Sequence, residues 1–258
     1  MELIYLDNAA TTPIFPEVVD TMQETLSAFY GNPSSIHAAG RNAKAKLEGA
    51  RKYIAKQFGV LPQEIIFNSG GTEGDNTVLQ GVVKHLGIKH IISSPIEHHA
   101  VLHPLEHMAK KGLITLHLVK LLPNGLPDMQ DLKQLLTAIS EKKLVSLMHI
   151  NNEIGTMIDL NAVGALCREH GALFHSDTVQ SIGHYQMDLG ELPIDFAVAS
   201  AHKFHGPKGV GFLYVRKNTG LQAMLLGGAQ ERGMRAGTEA VHNVVGMEKA
   251  LRMCYQTL

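Results

Sequence analysis

The sequence lacks tryptophan and has only two cysteines, Cys167 and Cys254, in 258 residues. Two cysteines cannot supply a disulfide framework, so we expect a hydrophobic core and a reducing, cytoplasmic location. An excess of one sign of charge is also missing, since the sequence has 23 lysines and arginines and 24 aspartates and glutamates. Nucleic acid is therefore not expected as the main partner, because phosphate backbones are bound by basic surfaces.

Long apolar runs are absent as well. No stretch approaches the roughly 20 apolar residues that a membrane helix needs. The first residues, 1–7, lack the basic start and apolar run of a signal peptide. We expect a protein without a membrane partner, and its length suffices for one large domain.

The chain alternates short runs rich in β-branched and aromatic residues with longer amphipathic stretches. This alternation predicts a single α/β domain with a mainly parallel central sheet and helices on both faces. The strand candidates are 64–67, 90–93, 114–119, 144–149, 172–175, 195–199 and 211–215. The helix candidates are 17–29, 41–58, 73–86, 99–111, 129–140, 160–170 and 239–256.

Polar or glycine-rich clusters follow five of the predicted strands. Parallel strands end at one edge of a sheet, where ligands bind, so we expect these clusters to face one another. The clusters are 68–73, 97–99, 151–153, 176–180 and 200–203.

The first of these clusters has the form of a phosphate cradle. Gly70 and Gly71 permit a tight turn, and Thr72 lies where a helix with free N–H groups begins. The cluster is neither a Walker A motif nor G-x-G-x-x-G. The alternative is that Ser69 and Thr72 only cap the helix.

Asp177 and Lys203 each follow a predicted strand. A lysine that forms a Schiff base and an aspartate that pairs with a pyridinium nitrogen are what pyridoxal phosphate needs from a protein. The alternative is a surface ion pair, and spacing alone does not choose between Lys203 and Lys208.

Fifteen histidines raise the question of a metal site. His103, Glu106 and His107 match the H-x-x-E-H pattern, and His99 extends the same helix face. That face leads away from the expected site edge, so we interpret it as a solvated surface and expect no metal. We interpret Cys167 and Cys254 as core residues.

Several motifs together carry a resemblance to a known family. They occupy residues 5–12, 31–35, 68–73, 97–98, 149–155, 175–181, 200–209 and 231–238. In this combination the sequence resembles the cysteine desulfurases, class V aminotransferase-like enzymes of the fold type I pyridoxal phosphate group. The match runs in order through essentially the whole chain.

The resemblance implies roles around the cofactor ring. Lys203 would bind the cofactor covalently and, with His98, move the substrate's α proton. Asp177 would pair with the ring nitrogen, and His98 would stack on the ring. Gln180 would bond the phenolic oxygen, with Asn152 near that oxygen and the substrate carboxylate.

The resemblance also implies a phosphate site and a dimer. Gly71, Thr72, Ser200 and His202 would hold the phosphate. Thr238 would reach the phosphate bound in the other subunit, which implies a homodimer.

The family's reaction converts L-cysteine to L-alanine and passes sulfur to an enzyme cysteine as a persulfide, for iron–sulfur cluster or thiolation pathways through an acceptor protein. In the family that cysteine, and an arginine for the substrate carboxylate, follow the segment containing Thr238. Neither Cys167 nor Cys254 matches its position. We therefore expect residues 1–258 to form the large domain, without the small domain against which residues 1 to about 15 pack in relatives.

Three alternatives stay open beside this interpretation. Two are related enzymes, a selenocysteine lyase and an aminotransferase. The third is a non-catalytic protein that binds pyridoxal phosphate.

Overall fold

The computed structural model describes residues 4–258, which contain seven strands and seven α-helices. The strands are β1 (Ile65–Asn68), β2 (His90–Ser93), β3 (Thr115–Leu118), β4 (Lys143–Ser146), β5 (Leu173–Asp177), β6 (Phe196–Ser200) and β7 (Gly211–Val215). The helices are α1 (Pro16–Ala28), α2 (Ala38–Gln57), α3 (Gly71–Leu86), α4 (His99–Lys110), α5 (Met129–Ala138), α6 (Leu160–Glu169) and α7 (Val241–Gln256).

The strands form one sheet in the order β1-β7-β6-β5-β4-β2-β3. Strand β7 runs antiparallel to both of its neighbours, and the other strands are parallel to one another. The predicted α/β class with a mainly parallel sheet is therefore confirmed. The carboxyl ends of six strands meet at one edge, where β7 begins.

Some predicted boundaries were wrong by a few residues. Asp177 and Ser200 are the last residues of β5 and β6 rather than residues beyond them. Helix α2 begins at Ala38 rather than at residue 41, because the His37 side chain accepts a hydrogen bond from the Gly40 N–H. Such capping contacts do not appear in the apolar periodicity.

The sheet separates two apolar layers. Helices α3 and α4 cover one face, and α1, α2, α5, α6 and α7 contribute to the core on the other. Successive strand residues alternate between the layers, as in β1, where Ile65 and Phe67 face one and Ile66 the other. Cys167 and Cys254 are buried in the larger layer, which confirms their assignment to the core. Within residues 4–258, no helix combines the length and apolar character needed to cross a bilayer.

A buried ion pair fastens the segment after β7 to the sheet. Arg51, 1% exposed, holds Glu231 through two contacts of 2.7 Å. Glu231 also accepts a hydrogen bond from the Phe67 N–H at 2.8 Å. Burial alone would lower the pKa of Arg51, but the hydrogen bonds and charges of Glu231 and Glu48 outweigh it and raise that pKa. The pair thus joins α2, β1 and the turn at Gln230–Gly233.

Glu231→Ala is expected to lower the free energy of unfolding by up to about 3–5 kcal/mol, because the buried Arg51 guanidinium loses both contacts with Glu231 and keeps only Glu48 as an acidic partner, at 3.0 Å from Nε. Urea unfolding measures the change. Lys120→Ala is the control: it breaks the pair with Asp131, in which the lysine side chain is 76% exposed, and should change stability little. An equal, small effect of both substitutions would contradict this account.

Candidate active site

A cavity of about 600 Å³ opens at the sheet edge where the parallel strands end. Its walls come from the segments after β1, β2, β4, β5 and β6, as the strand order predicts. It is lined by all but one of the predicted site residues: Gly71, Thr72, His98, Asn152, Asp177, Gln180, Ser200, His202 and Lys203.

The exception is Thr238, which lies elsewhere. It lines a separate groove of about 310 Å³ with Leu26, Phe29 and Tyr30 from the end of α1 and the loop after it. Tyr30 is 82% exposed, so this groove has an apolar rim open to solvent.

The amino end of α3 forms one wall of the cavity. Gly70 precedes the helix with φ 135°, a conformation that L side chains rarely adopt. A Cβ at Gly70 would lie 3.1 Å from the Ser200 hydroxyl, and one at Gly71 would lie 3.0 Å from Val179. No side chain caps the helix, so the hypothesis that Ser69 and Thr72 serve as caps was wrong. The free N–H groups can bind an anion instead.

Glu73 stabilises this wall, and its negative charge is paired with Arg235, so it does not repel an anion at the helix end. It accepts hydrogen bonds from the Ser69 N–H at 2.9 Å and from Arg235 Nε at 2.9 Å. Burial alone would raise the pKa of Glu73, but the bonds from Arg235 and Ser69 outweigh it and hold that pKa below its usual range. The arginine thus neutralises the only carboxylate in the first turn of α3.

Asp177 is a buried carboxyl group on another wall, 6% exposed. Its Oδ1 accepts a hydrogen bond from the Val179 N–H at 2.9 Å. Burial and the neighbouring charge of Asp75 raise the pKa of Asp177 to about 7, against the opposing effects of Val179, His175 and His98. A cation placed in the cavity would stabilise its ionised form.

Lys203 lies in the short turn that follows β6 (Ala201–Lys203). Its Nζ donates hydrogen bonds to the carbonyls of Ala9 at 2.5 Å and Ala10 at 2.9 Å. Burial lowers the pKa of this amine, although Asp177 and Asp7 partly offset the effect. Lys208 also lines the cavity but is exposed. Burial, which lowers the pKa of its amine, distinguishes Lys203 from the exposed Lys208.

His98 begins α4 and presents one ring nitrogen for chemistry. Its Nδ1 accepts a hydrogen bond from the Ala100 N–H at 3.1 Å, which caps the helix. The neutral ring therefore carries its proton on Nε2, the nitrogen left for a ligand.

Two buried carboxyl groups near the cavity, Glu97 and Asp75, were absent from the predicted site. Glu97 accepts hydrogen bonds from the Ser94 hydroxyl at 2.6 Å and the Met148 N–H at 2.9 Å, which joins the segments after β2 and β4. Burial raises the pKa of each carboxyl to about 8. Asp75 had a sequence signal, because it shares the buried helical stripe of Val78, Leu79 and Val82.

The segment 7–12 covers part of the cavity. Gln180 Nε2 donates to the Ala9 carbonyl at 2.9 Å, and His202 Nδ1 lies 3.1 Å from the Thr11 hydroxyl. The Thr12 N–H donates to the His202 carbonyl at 2.9 Å. The prediction for residues 1 to about 15 is untested against a small domain, and residues 1–3 lie outside the described residues.

The histidine stripe on α4 is separate from the cavity. His99 and His103 stack with ring centroids 4.5 Å apart, and both are exposed, as is His107. Residues 4–258 contain no group of three side chains that could hold a metal ion.

Comparison with known proteins assigns the family. The sequence model of the class-V aminotransferases matches residues 4–258. The chain belongs to the class-V aminotransferase family. Its sheet and helices are those of the fold type I pyridoxal phosphate enzymes, in agreement with the predicted fold.

Similar members of the class-V family carry cysteine desulfurase names. The cysteine desulfurase IscS of Dictyoglomus turgidum is 45% identical over 252 residues, which are 97% of this chain and 63% of the relative. A solved NifS-like protein superposes with a TM-score of 0.94 at 38% identity, covering 99% of this chain and 70% of that one. The structure titled SspA in complex with cysteine has a TM-score of 0.89 at 33% identity, covering 97% and 72%.

The chain spans just under two thirds of the length of the curated relatives it matches.

Labelling of lysines should report the environment of Lys203. Because burial lowers the pKa of its amine, the pH midpoint for its acylation by a small amine reagent is expected below the ordinary lysine value of about 10.4. Mass spectrometry of peptides across a pH series measures it, with Lys208 followed in the same digest. A midpoint for Lys203 at or above the ordinary value would contradict the assignment.

Proposed function

We propose that this chain carries the pyridoxal phosphate-binding part of a cysteine desulfurase, which converts L-cysteine to L-alanine and transfers the sulfur to a thiol. The observation that carries the proposal is one cavity lined by the Lys203 amine, the Asp177 carboxyl and the uncapped amino end of α3. These are an amine, an acid and an anion site, which suit the aldehyde, the ring nitrogen and the phosphate of this cofactor.

The residues present fit the cofactor. A cavity of about 600 Å³ is within the range of small-molecule sites. The phosphate would be held by α3 N–H groups at Gly71 and Thr72, with Ser200 and His202. The absence of a Cβ at Gly70 leaves space beside the Ser200 hydroxyl. When bound, the cofactor supplies an aldehyde for an amine and a protonated ring that draws electron density from the substrate's α carbon.

Asp177 would hold the proton on the ring nitrogen. Its carboxyl is buried and hydrogen-bonded by the Val179 N–H at Oδ1, which leaves Oδ2 for a further donor. His98 would stack on the ring, and Gln180 and Asn152 would contact its oxygen substituent and the substrate carboxylate. To reach it, Gln180 Nε2 would leave the Ala9 carbonyl.

Two groups can move a proton at the substrate's α carbon. The Lys203 amine has its pKa lowered by burial, so a larger fraction is neutral and able to accept a proton. His98 offers Nε2–H, which can donate a proton, because its Nδ1 accepts the Ala100 N–H as the α4 cap. In its present place Lys203 Nζ is bonded to the carbonyls of Ala9 and Ala10. Segment 7–12 must therefore release the amine for reaction.

The thiol that receives sulfur is a separate question. Burial raises the pKa of the Cys167 thiol to about 12 and that of the Cys254 thiol to about 11, so neither is a thiolate at neutral pH. We propose that sulfur passes to a different thiol and from it to an acceptor protein for iron–sulfur cluster or thiolation pathways. Two free cysteines are in keeping with a cytoplasmic location.

We also propose that the working form is a homodimer in which Thr238 reaches the phosphate bound by the partner subunit. Support comes from the position of Thr238 away from its own cavity, in a groove with an exposed apolar rim. Exposed apolar surface of this kind is typical of interfaces.

Lys203→Ala is expected to abolish the visible absorbance that wild-type protein gains when pyridoxal phosphate is added, because no amine remains for the covalent bond. Lys208→Ala, a substitution at the same cavity, should retain it. Absorbance spectra before and after borohydride reduction measure the bond. Absorbance retained in Lys203→Ala and lost in Lys208→Ala would contradict the assignment.

Incubation of the loaded protein with L-cysteine separates the remaining functions. Alanine is the expected product, with a yield that rises when an added small thiol accepts the sulfur. Alanine formed only from selenocysteine indicates a lyase of that kind, and a keto acid product indicates an aminotransferase. Cofactor binding without any product indicates a non-catalytic protein.

A further inference from the structure

Asp75 and His175 lie side by side beneath the cavity, and the proposed function uses neither. Asp75 on α3 is 1% exposed and His175 on β5 is fully buried. His175 Nε2 lies 3.3 Å from Asp75 Oδ1, and His175 Nδ1 lies 2.9 Å from the Ser146 hydroxyl. This row of side chains extends from β4 through β5 to α3 and ends at the cavity wall, which Asp75 lines.

The side chains of Asp75 and His175 are buried, but several of their polar atoms lack hydrogen-bond partners. Neither carboxyl oxygen of Asp75 nor His175 Nε2 makes an aligned hydrogen bond within residues 4–258. An ionised carboxylate in such a place is costly, so a proton must be held within the pair. Burial raises the pKa of Asp75 to about 8 and lowers that of His175 to about 4, which corresponds to a protonated carboxyl beside a neutral imidazole.

The charge of this pair acts on Asp177. An Asp75 charge would raise the pKa of Asp177, whereas His175 and His98 lower it. The other charged groups here are Glu97, which is acted on by both aspartates, and Lys203, which is acted on by Asp177. With few cations in reach, two ionised aspartates would repel each other in a low-dielectric site.

We propose that Asp75 and His175 are positioning residues that hold one proton between them and so keep Asp177 the single anion facing the cofactor's ring nitrogen. The effect on the cofactor rests on the proposed function, whereas the proton held by Asp75 and His175 does not depend on it. When the pair loses its proton at alkaline pH, a second negative charge appears beside Asp177 and strengthens its hold on a protonated ring.

The first test needs no cofactor. A carboxyl whose folded-state pKa is raised keeps its proton when the unfolded chain has lost it, so stability falls as pH rises towards the folded pKa. His175, with its lowered pKa, acts in the opposite direction and only below about pH 6.5. Between about pH 6.5 and 8, Asp75 alone should therefore change the unfolding equilibrium constant by up to about tenfold per pH unit.

Asp75→Asn should remove this contribution, measured by urea unfolding without cofactor across that pH range. Glu97 and Asp177 stay in place in every variant, so a smaller slope remains. Asp195→Asn is the matched control for loss of a partly buried carboxyl away from the cavity. Burial also raises the pKa of Asp195, which lies before β6 at the opposite edge of the sheet, but this variant keeps Asp75 and with it the slope up to about pH 8. Asp75→Leu removes the carboxyl with a side chain of similar size, should the asparagine variant fold poorly.

The second test uses protein loaded with pyridoxal phosphate. Wild type and Asp195→Asn should show a change in the visible absorption band near pH 8 that Asp75→Asn lacks. Adding His175→Gln to Asp75→Asn should change the profile no further, because the two residues act as a unit.

Stability slopes and absorption profiles that are the same in wild type and the Asp75 variants would overturn the proposal. If wild type binds no cofactor, the proposed function fails, while the unfolding slopes still decide whether Asp75 holds a proton.

Discussion

The site depends on a buried acid that lacks a hydrogen-bonded cation. Asp177 lies at the end of β5, 6% exposed, and the carboxyl of Asp75 is among the titratable groups that act on it. Burial disfavours the ionised form of Asp177 unless a positive partner is present. The pKa of Asp177 is therefore raised to about 7 in the chain without a ligand. Under the proposed function, a protonated pyridine ring would be such a partner, and the remaining walls would hold the rest of the cofactor.

The parallel sheet places these walls. Because β1, β2, β4, β5 and β6 end at one edge, glycines, histidine, acid and lysine that are far apart in the chain meet in one cavity. The antiparallel β7 begins at this edge and runs away from it, and the Arg51–Glu231 pair then fixes the later segment that brings Arg235 to Glu73. The anion-binding wall at α3 is thus held by an ion pair on the far side of β1.

Much of this arrangement could be predicted from the sequence. Alternating apolar periodicities predict the strands and helices, and the rule that ligands bind where parallel strands end predicts that Asp177 and Lys203 lie together. The buried carboxyls were missed for a physical reason. Asp75 lies on the apolar stripe of α3, but the stripe alone does not show that a carboxyl would be buried there, because its burial depends on the packing of α3 against residues distant in sequence. The sequence also did not predict that segment 7–12 covers part of the cavity, because its hydrogen bonds to Gln180 and Lys203 join residues far apart in the chain.

We propose that Asp177 keeps a proton on the ring nitrogen of pyridoxal phosphate bound at Lys203. Nitrogen NMR of the protein loaded with cofactor ¹⁵N-labelled at the ring measures that proton directly. We predict a protonated ring nitrogen in wild type at neutral pH and an unprotonated one in Asp177→Asn. The same ring nitrogen signal in both proteins would contradict the account.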